Sequence, residues 1–334
     1  MIEILKRQWF VVLVAVIFIG FAIFCVYDTN KDRVSGKSHD GKDVVATLSD
    51  DKYITADSLY DTLYKSYGGS TVSTKFQVAV ISQSVKETSE LKTQATNYKA
   101  NFITQAETGM SQYGYTDIKS YINAKLANLG YSYDTLDEYA MLCVKINKMS
   151  DDYITKNLDA LFSPIYKEKS PRKVSHILIK MEDPENPTDA EKKKVKQVED
   201  ALAKGDSFAK VAKKYSDDSA SAEDNGSLGY MDSDTTYVDS FKNKALSMKA
   251  GEVSEWVHES NDSYKGWHMI KVEETDKEKL LKDKDIKTGL YEAIQNNNSD
   301  IYSKFVWEAA KKLDIKYASD DVKKKIMASL DIEE

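Results

Sequence analysis

A run of alternating side chains at residues 173–181 interrupts a chain that otherwise shows helical spacing. Alternation over this length predicts a half-buried strand with a histidine on one of its faces. One face carries Val174, His176 and Leu178, and the other carries Ser175, Ile177 and Ile179. Short strands are also predicted near 253–257 and 267–272. The order β-α-α-β-α-β-β therefore predicts an α+β domain with an antiparallel sheet at 166–275.

Helical patterns flank this domain on both sides. Residues 44–165 begin with a strand pattern at 44–48 and continue with apolar side chains three and four positions apart. One such stripe consists of Leu91, Ala95, Tyr98, Phe102 and Ala106. Residues 276–334 carry helical patterns at 278–297, 300–313 and 320–330. Because these helices cannot bury their stripes alone, we expect them to pack on 44–165. The domain at 166–275 would then be an insertion in one mostly α-helical domain.

An uncharged run of 19 residues at 9–27 follows Lys6 and Arg7 near the N-terminus. At about 1.5 Å per residue, a helix of this length just spans a hydrocarbon core of about 30 Å. Trp9 and Tyr27 bracket the run, as amphipathic aromatic residues do at membrane interfaces. The run therefore predicts a transmembrane helix, and the basic pair predicts that its N-terminal end is cytoplasmic.

This anchor would place the protein in the cell membrane as a single-pass protein. Residues 1–29 would form a cytoplasmic tip and the transmembrane helix, and residues 30–43 a flexible spacer. The bulk of the chain would lie on the extracytoplasmic side. A cleaved signal peptide and a lipid-modified Cys25 are the alternatives to a retained helix.

The charge and cysteine content exclude some classes of partner and site. The formal net charge is −7. Without a basic stripe, this acidity disfavours nucleic acid as a partner, because phosphate binding requires clustered cations. The two cysteines, Cys25 and Cys143, are not spaced like a disulfide framework or a metal site. No metal and no cofactor is predicted.

Five short motifs recur in order between residues 173 and 272. They are Val174-Ser175-His176-Ile177-Leu178-Ile179, the segment from Phe208 to Asp218, Gly226-Ser227-Leu228-Gly229, Phe241, and Gly266-Trp267-His268-Met269-Ile270. This series resembles the parvulin family of peptidyl-prolyl cis-trans isomerases. The resemblance implies catalytic positions at His176, Asp218 and His268, where the histidines organise the site rather than transfer protons. It also implies a substrate pocket for proline, formed by Tyr237, Val238, Phe241 and Leu228, with Phe241 as its floor.

The chain departs from the family pattern in three places. Tyr237 lies where most members have Met or Leu, and the turn that usually reads Gly-Gly-Asp-Leu-Gly is Asn225-Gly226-Ser227-Leu228-Gly229. An insertion at 260–265 precedes the last strand and bears on the rim of the pocket. A zinc site built on the two histidines is disfavoured, since neither HExxH nor CxxC spacing is present. The acidic loop at 181–187 predicts that phosphorylated substrates are not required.

The order of these regions along the chain resembles the order found in PrsA- and SurA-like extracytoplasmic foldases. That resemblance implies an active isomerase whose helical domain holds unfolded or partly folded exported polypeptides. Whether the protein forms a homodimer is left open. Exposed tyrosines among the 21 in the chain would suit holding, because Tyr offers a large contact area at low entropic cost. A non-enzymatic holdase with a degenerate parvulin module is the second interpretation. An anchored surface adaptor is the third.

Overall fold

The computed structural model describes residues 37–39, 41–47, 53–260 and 264–333. The predicted transmembrane helix at 9–27 lies outside these residues. In the part of the chain that is described, no helix is both long and apolar enough to cross a membrane. The described residues fall into two compact units. One contains the residues up to Lys75 together with Tyr317–Ser329, and the other contains Phe76–Lys316 together with the residues from Leu330 onward.

The first unit combines a small sheet with amphipathic helices. Its antiparallel strands are β1 (Lys37–His39), β2 (Lys42–Thr47) and β3 (Tyr53–Thr55), in the order β1-β2-β3. Helix α1 (Ala56–Leu63) begins where the Thr55 hydroxyl accepts a hydrogen bond from the Ser58 backbone. A π-helical turn (Tyr64–Gly68) leads into α2 (Gly69–Ser84), whose residues from Phe76 onward belong to the second unit. Helix α14 (Asp320–Ser329) is the last element of the chain. Part of the predicted spacer 30–43 therefore forms a hairpin, since Lys42 already pairs with His39.

The second unit begins with long helices. They are α3 (Ser89–Gly109), α4 (Ile118–Leu126), α5 (Leu136–Lys156) and α6 (Leu158–Lys169). Thr88 and Asp117 cap α3 and α4 by accepting backbone hydrogen bonds. Leu91 and Ala95 on α3 pack against α5 in one buried cluster. Helix α6 continues four residues beyond the domain boundary predicted at 165/166, although it contains Pro164.

The sheet domain follows. Its strands are β4 (Arg172–Lys180), β5 (Ser227–Met231), β6 (Val257–Glu259) and β7 (Gly266–Glu274), all antiparallel in the order β5-β4-β7-β6. Its helices are α7 (Asp189–Ala203), α8 (Phe208–Tyr215), α9 (Ser219–Glu223) and α10 (Asp239–Ser247). The predicted α+β class with an antiparallel sheet is confirmed. The strand predicted at 253–257 is displaced: only Val253 makes an isolated bridge, and β6 begins at Val257.

The prediction that β4 is half-buried is wrong. Seven of its nine residues are buried, because β4 is a central strand with helices over both faces. Ile177 and Ile179 pack into a core with side chains of α7 and α8. Val174 packs on the other face with Phe241 and Ala245 of α10. A central strand that is covered on both faces has no side in contact with solvent. The alternating side chains at 173–181 therefore point into two different buried cores, and neither set points into water.

The C-terminal helices of this unit are α11 (Lys277–Lys282), α12 (Lys287–Asn297) and α13 (Ile301–Ala310). The single helix predicted at 278–297 is interrupted, because Asp283 and Asp285 leave the helix and bind Lys173 at 2.9 and 2.8 Å. These helices contact the earlier ones: the Tyr291 hydroxyl is 2.7 Å from the Thr155 hydroxyl. The sheet domain thus lies in sequence between helices that pack on each other. The domain boundaries drawn from the sequence remain predictions.

Candidate active site

Two histidines lie side by side on the central strands of the sheet. The register of β4 with β7 places His176 opposite Ile270 and His268 opposite Leu178. The histidines are therefore diagonal neighbours on one face of the sheet. Their ring centroids are 5.5 Å apart with an interplanar angle of 27°, and their Nδ1 atoms are 3.4 Å apart. Both side chains are almost completely removed from solvent.

Hydrogen bonds fix both outer nitrogens of this pair. His176 Nε2 is 2.8 Å from Asp218 Oδ2 and 3.0 Å from Ser221 Oγ. The Ser221 hydroxyl donates to the same carboxylate oxygen at 2.6 Å. On the other side, His268 Nε2 donates to the Tyr264 carbonyl oxygen at 2.9 Å. Since a carboxylate and a carbonyl only accept, each ring carries its hydrogen on Nε2 when Asp218 is ionised.

The environment keeps the histidines neutral and the carboxylate charged. Burial lowers the pKa of His176 more than hydrogen bonding and the charge of Asp218 raise it. Burial also lowers the pKa of His268. Burial opposes ionisation of Asp218, but hydrogen bonds from Ser221 and His176 outweigh it, so the pKa of Asp218 is lowered. With both Nε2 atoms donating outward, one added proton would lie between the two Nδ1 atoms. The pair therefore titrates as a unit.

An aromatic cavity of about 260 Å³ opens beside the histidine pair. Phe241 on α10 is 3% exposed and forms its floor. The Phe241 ring centroid lies 5.8 Å from that of His176 and 5.7 Å from that of His268, with the ring planes almost perpendicular. The Tyr237 ring lies 5.3 Å from Phe241 in an edge-to-face arrangement. The lining residues are His176, Asp218, Leu228, Tyr237, Val238, Phe241, Tyr264 and His268. The cavity thus joins an apolar floor to a polar wall.

The turn before β5 brings its backbone against His176. The His176 N–H donates to the Gly226 carbonyl oxygen at 2.8 Å. Gly226 has φ +86°, and a Cβ there would lie 2.7 Å from the His176 oxygen, so glycine is required. Asn225 occupies the position where the family usually has Gly and adopts φ 58°, which Asn tolerates. A register shift between β4 and β5 leaves Leu228 as the extra residue of a bulge beside the cavity.

A buried arginine holds the helix that carries Phe241. Arg172, at the start of β4, is 5% exposed. Its Nη1 donates to the carbonyl oxygens of Ala245 at 2.5 Å and Met248 at 3.1 Å, at the C-terminal end of α10. A cation is favourable there because the helix dipole is negative at its C-terminus. Arg172 therefore ties the helix of Phe241 to the strand of His176.

All seven site positions predicted from the sequence line this one cavity. The structure adds three residues: Tyr264 on its rim, Ser221 in the histidine network and Arg172 behind α10. Only Tyr264 had a sequence signal, since it lies in the insertion at 260–265. Among the described residues, no three His, Cys, Asp or Glu side chains converge as metal ligands. The catalytic roles of three of these residues and the substrate-binding roles of the other four remain predictions.

Comparison with known proteins agrees with this geometry. Residues 176–274 match the family model for the rotamase, or PPIC-type PPIase, domain. Residues 176–274 therefore form a parvulin-type peptidyl-prolyl cis-trans isomerase domain. The whole chain is 28% identical over 304 residues to the foldase protein PrsA of Bacillus subtilis (strain 168). This match spans 90% of the present chain and 92% of that protein. The chain is 32% identical over 202 residues to PrsA of Clostridium botulinum (strain Langeland), or 56% of each chain.

Among solved structures, the crystal structure of PrsA from Bacillus subtilis is 27% identical to this chain. The match covers 85% of this chain and 98% of that one, with a TM-score of 0.47. The sequence likeness to PrsA of Bacillus subtilis extends over most of this chain. Within it, the match to the isomerase family begins at His176 and ends at Glu274, the last residue of β7.

Proposed function

We propose that this parvulin is a membrane-anchored extracytoplasmic foldase that isomerises Xaa-Pro bonds and also holds non-native clients. The cavity at His176, Asp218, Phe241 and His268 would perform the isomerisation. A separate exposed apolar surface would hold the clients. The likeness to PrsA foldases over nine-tenths of the chain supports the pairing of these activities in one protein.

Isomerisation requires rotation about the peptide bond and no covalent bond to be broken. The barrier is about 18–20 kcal/mol because the bond has partial double-bond character. The rotating amide loses conjugation and charge separation, so a desolvated pocket favours it over the planar form. Phe241 would bind the prolyl ring, while the network from Asp218 to His268 would fix the polar wall against which the amide turns. Lowering the barrier by about 4 kcal/mol accelerates exchange roughly a thousandfold.

The observation that carries the holding function is a concentration of exposed apolar side chains in the first unit. Of ten exposed large hydrophobic residues in the described chain, six lie between residues 45 and 67. We call these six the apolar patch: Val45, Ile54, Leu59, Tyr60, Leu63 and Tyr67. Helix α1 has no buried residue at all. Exposed apolar surface of this kind is typical of binding sites for other polypeptides.

Few of the described tyrosines are exposed enough to contact a client polypeptide. Among the described residues, only Tyr60, Tyr67, Tyr113 and Tyr264 are largely exposed. Others, such as Tyr98 and Tyr139, pack edge to face within the helices. Burial is also the main reason that the pKa of Tyr98 is raised. Tyr60 and Tyr67 also belong to the apolar patch, and they are the tyrosines that we assign to client holding.

A double substitution on α1 tests the holding function. Leu59→Ser with Leu63→Ser should lower suppression of aggregation of a chemically denatured substrate protein by at least half, because it removes apolar area without opening a core. Tyr113→Ser with Leu129→Ser is the matched control, since both residues are exposed but lie outside the apolar patch. Light scattering measures the effect. Equal loss in the two variants would contradict the assignment, as would full protection by the α1 variant.

The anchor is proposed from the apolar run at 9–27 and its basic flank. The mature N-terminus of protein extracted from membranes decides between the alternatives. Mass spectrometry should find an intact N-terminal segment, whereas a lipid on Cys25 or a start beyond residue 30 would contradict a retained helix. The degenerate-module alternative predicts holding without any isomerase activity. Intact packing of Phe241 against both histidines favours the active enzyme.

A further inference from the structure

Tyr264 is fixed to the catalytic network although its side chain is exposed. Its carbonyl oxygen accepts the hydrogen bond from His268 Nε2 at 2.9 Å. The next residue is also tied down, because the Met181 N–H donates to the Lys265 carbonyl oxygen at 3.3 Å. The phenol ring nevertheless lines the cavity and is 55% exposed. A large aromatic ring held at the mouth of a substrate pocket is available to a ligand.

Tyr237, Tyr264 and Asp218 share this mouth. The pKa of Tyr237 is raised first by burial, and then by the neighbouring Tyr264 and the charge of Asp218. All three residues line the same cavity, and no Lys or Arg is among the described residues that line it. The two histidines are neutral at pH 7, so Asp218 gives the lining a net charge of about −1. Aromatic faces next to a carboxylate form an environment that attracts a cation.

We propose that Tyr264 and Asp218 determine substrate specificity by binding a lysine or arginine immediately before the proline. This inference rests on the isomerase activity of the same cavity. The prolyl ring occupies the floor at Phe241, so the side chain preceding it must lie near the rim of the cavity. There a cation would contact the ring of Tyr264 and the carboxylate of Asp218. An acidic side chain would meet like charge with no cation in the lining to neutralise it.

Matched peptides test this specificity. The probes are Ala-Xaa-Pro-Phe peptides with Lys, Leu, Glu or phosphoserine as Xaa, and the readout is kcat/KM for cis-trans exchange by NMR. We expect Lys above Leu, and Leu above Glu and phosphoserine. The cation–π contact alone should favour Lys over Leu about two- to fivefold, and added salt should reduce the difference.

Variants at Tyr264 separate this inference from the isomerase assignment. Tyr264→Phe keeps the ring and should keep the Lys-to-Leu ratio, whereas Tyr264→Ala should lower that ratio about two- to fivefold and leave only the contribution of Asp218. Tyr113→Ala, at an exposed tyrosine outside the cavity, should leave the ratio unchanged. Equal kcat/KM for the Lys and Glu peptides, or a Lys-to-Leu ratio that Tyr264→Ala leaves unchanged, would overturn the inference. Absence of exchange activity on every peptide would instead overturn the isomerase activity itself.

Discussion

Asp218 is the charged side chain that binds His176, whose ring stacks on that of His268. It binds His176 Nε2 directly and binds Ser221, which contacts the same nitrogen. Its side chain is 28% exposed, so it contributes little to the packed core. A substitution at Asp218 therefore acts mainly on the orientation and protonation of the histidines.

The first prediction concerns this carboxylate. Asp218→Ala should lower kcat/KM for Xaa-Pro exchange at least tenfold. The reason is that His176 loses its hydrogen bond to a charged carboxylate, which is stronger than a hydrogen bond between neutral groups. Asp217→Ala is the matched control: Asp217 lies next to it but binds Lys194 and the Lys180 N–H rather than the histidines. Client holding should remain near wild type in both variants. A loss of holding in Asp218→Ala with unchanged isomerisation would contradict the assignment.

The second prediction is a pH profile. The folded state lowers the pKa of both histidines below the usual 6.5. The unfolded state therefore binds more protons at pH values between the lowered pKa and 6.5. Stability should thus be constant at and above pH 7 and fall as the pH drops below about 6.5, whereas kcat/KM should fall only at lower pH, where the folded histidines take up a proton. Asp218→Asn should move the fall to lower pH, because the charge that raises the pKa of His176 is gone. NMR titration of the imidazole signals measures this, and a midpoint that rises in Asp218→Asn would refute it.

At the residue scale, the sequence predicts the site well where a motif carries it. The seven positions follow from motif order, and all seven line one cavity. Ser221 could not be predicted, because a serine two residues into a short helix has no pattern that distinguishes it from a surface serine. Its role depends on the turn at Asn225 and Gly226, which brings α9 back beside β4.

At the scale of elements, α10 depends on a contact far away in sequence. The Arg172 guanidinium donates hydrogen bonds to two backbone carbonyl oxygens at the end of α10, and the donor and both acceptors are buried. Without the guanidinium, the Ala245 carbonyl oxygen would keep only the Met248 N–H at 3.3 Å and the Met248 carbonyl oxygen would lose its Arg172 donor, and a buried carbonyl left unsatisfied costs about 1–3 kcal/mol. The position of Phe241 above the histidines therefore depends on an element that precedes it by some seventy residues of chain.

The third prediction tests this contact. Arg172→Met should lower the free energy of unfolding by about 2–4 kcal/mol and reduce kcat/KM, since α10 and Phe241 lose their fixed position. Arg172→Lys should restore part of both, because an ammonium group can donate to the same carbonyl oxygens. Chemical denaturation and exchange NMR, with the imidazole signals as a report on the Phe241 ring, measure the effects. Unchanged imidazole signals and activity in folded Arg172→Met would show that the contact is only structural.

Errors in the predicted elements have physical causes. The interruption between α11 and α12 arises because Lys173, on a distant strand, binds Asp283 and Asp285. Helical periodicity continues through this segment, and no local signal marks the break. Likewise, burial of both faces of β4 depends on α7, α8 and α10, which a pattern of alternation cannot reveal.

At the scale of the whole molecule, the isomerase cavity and the surface proposed for client holding lie in different parts of the chain. The cavity lies between β4, β7 and α10, while the apolar patch lies at residues 45–67 of the other compact unit. The chain leaves and re-enters the helical region at adjacent points, because the Tyr166 hydroxyl donates to the Thr275 carbonyl oxygen at 3.0 Å. Lys277 at the start of α11 also contacts Ser163 on α6 at 2.8 Å.

The fourth prediction follows from these adjacent ends. Deleting residues 171–275 and joining α6 to α11 with a short Gly-Ser linker should leave the helices folded, because their mutual contacts do not pass through the sheet. The variant should suppress aggregation nearly as well as the full chain and show no isomerase activity. Circular dichroism and light scattering measure these properties. A variant whose helices unfold would contradict the proposed separation of functions.

The most direct test of the central claim is the rate of Xaa-Pro exchange with and without the floor of the cavity. Phe241→Ala should abolish acceleration by the full-length protein, at a stability cost of about 3–5 kcal/mol. Phe208→Ala removes a buried phenylalanine from the opposite face of the sheet and controls for that cost. Two-dimensional exchange NMR at a temperature where both variants are folded should show fast exchange with wild type and Phe208→Ala only. Wild-type exchange no faster than the uncatalysed rate, or full activity in Phe241→Ala, would contradict the account.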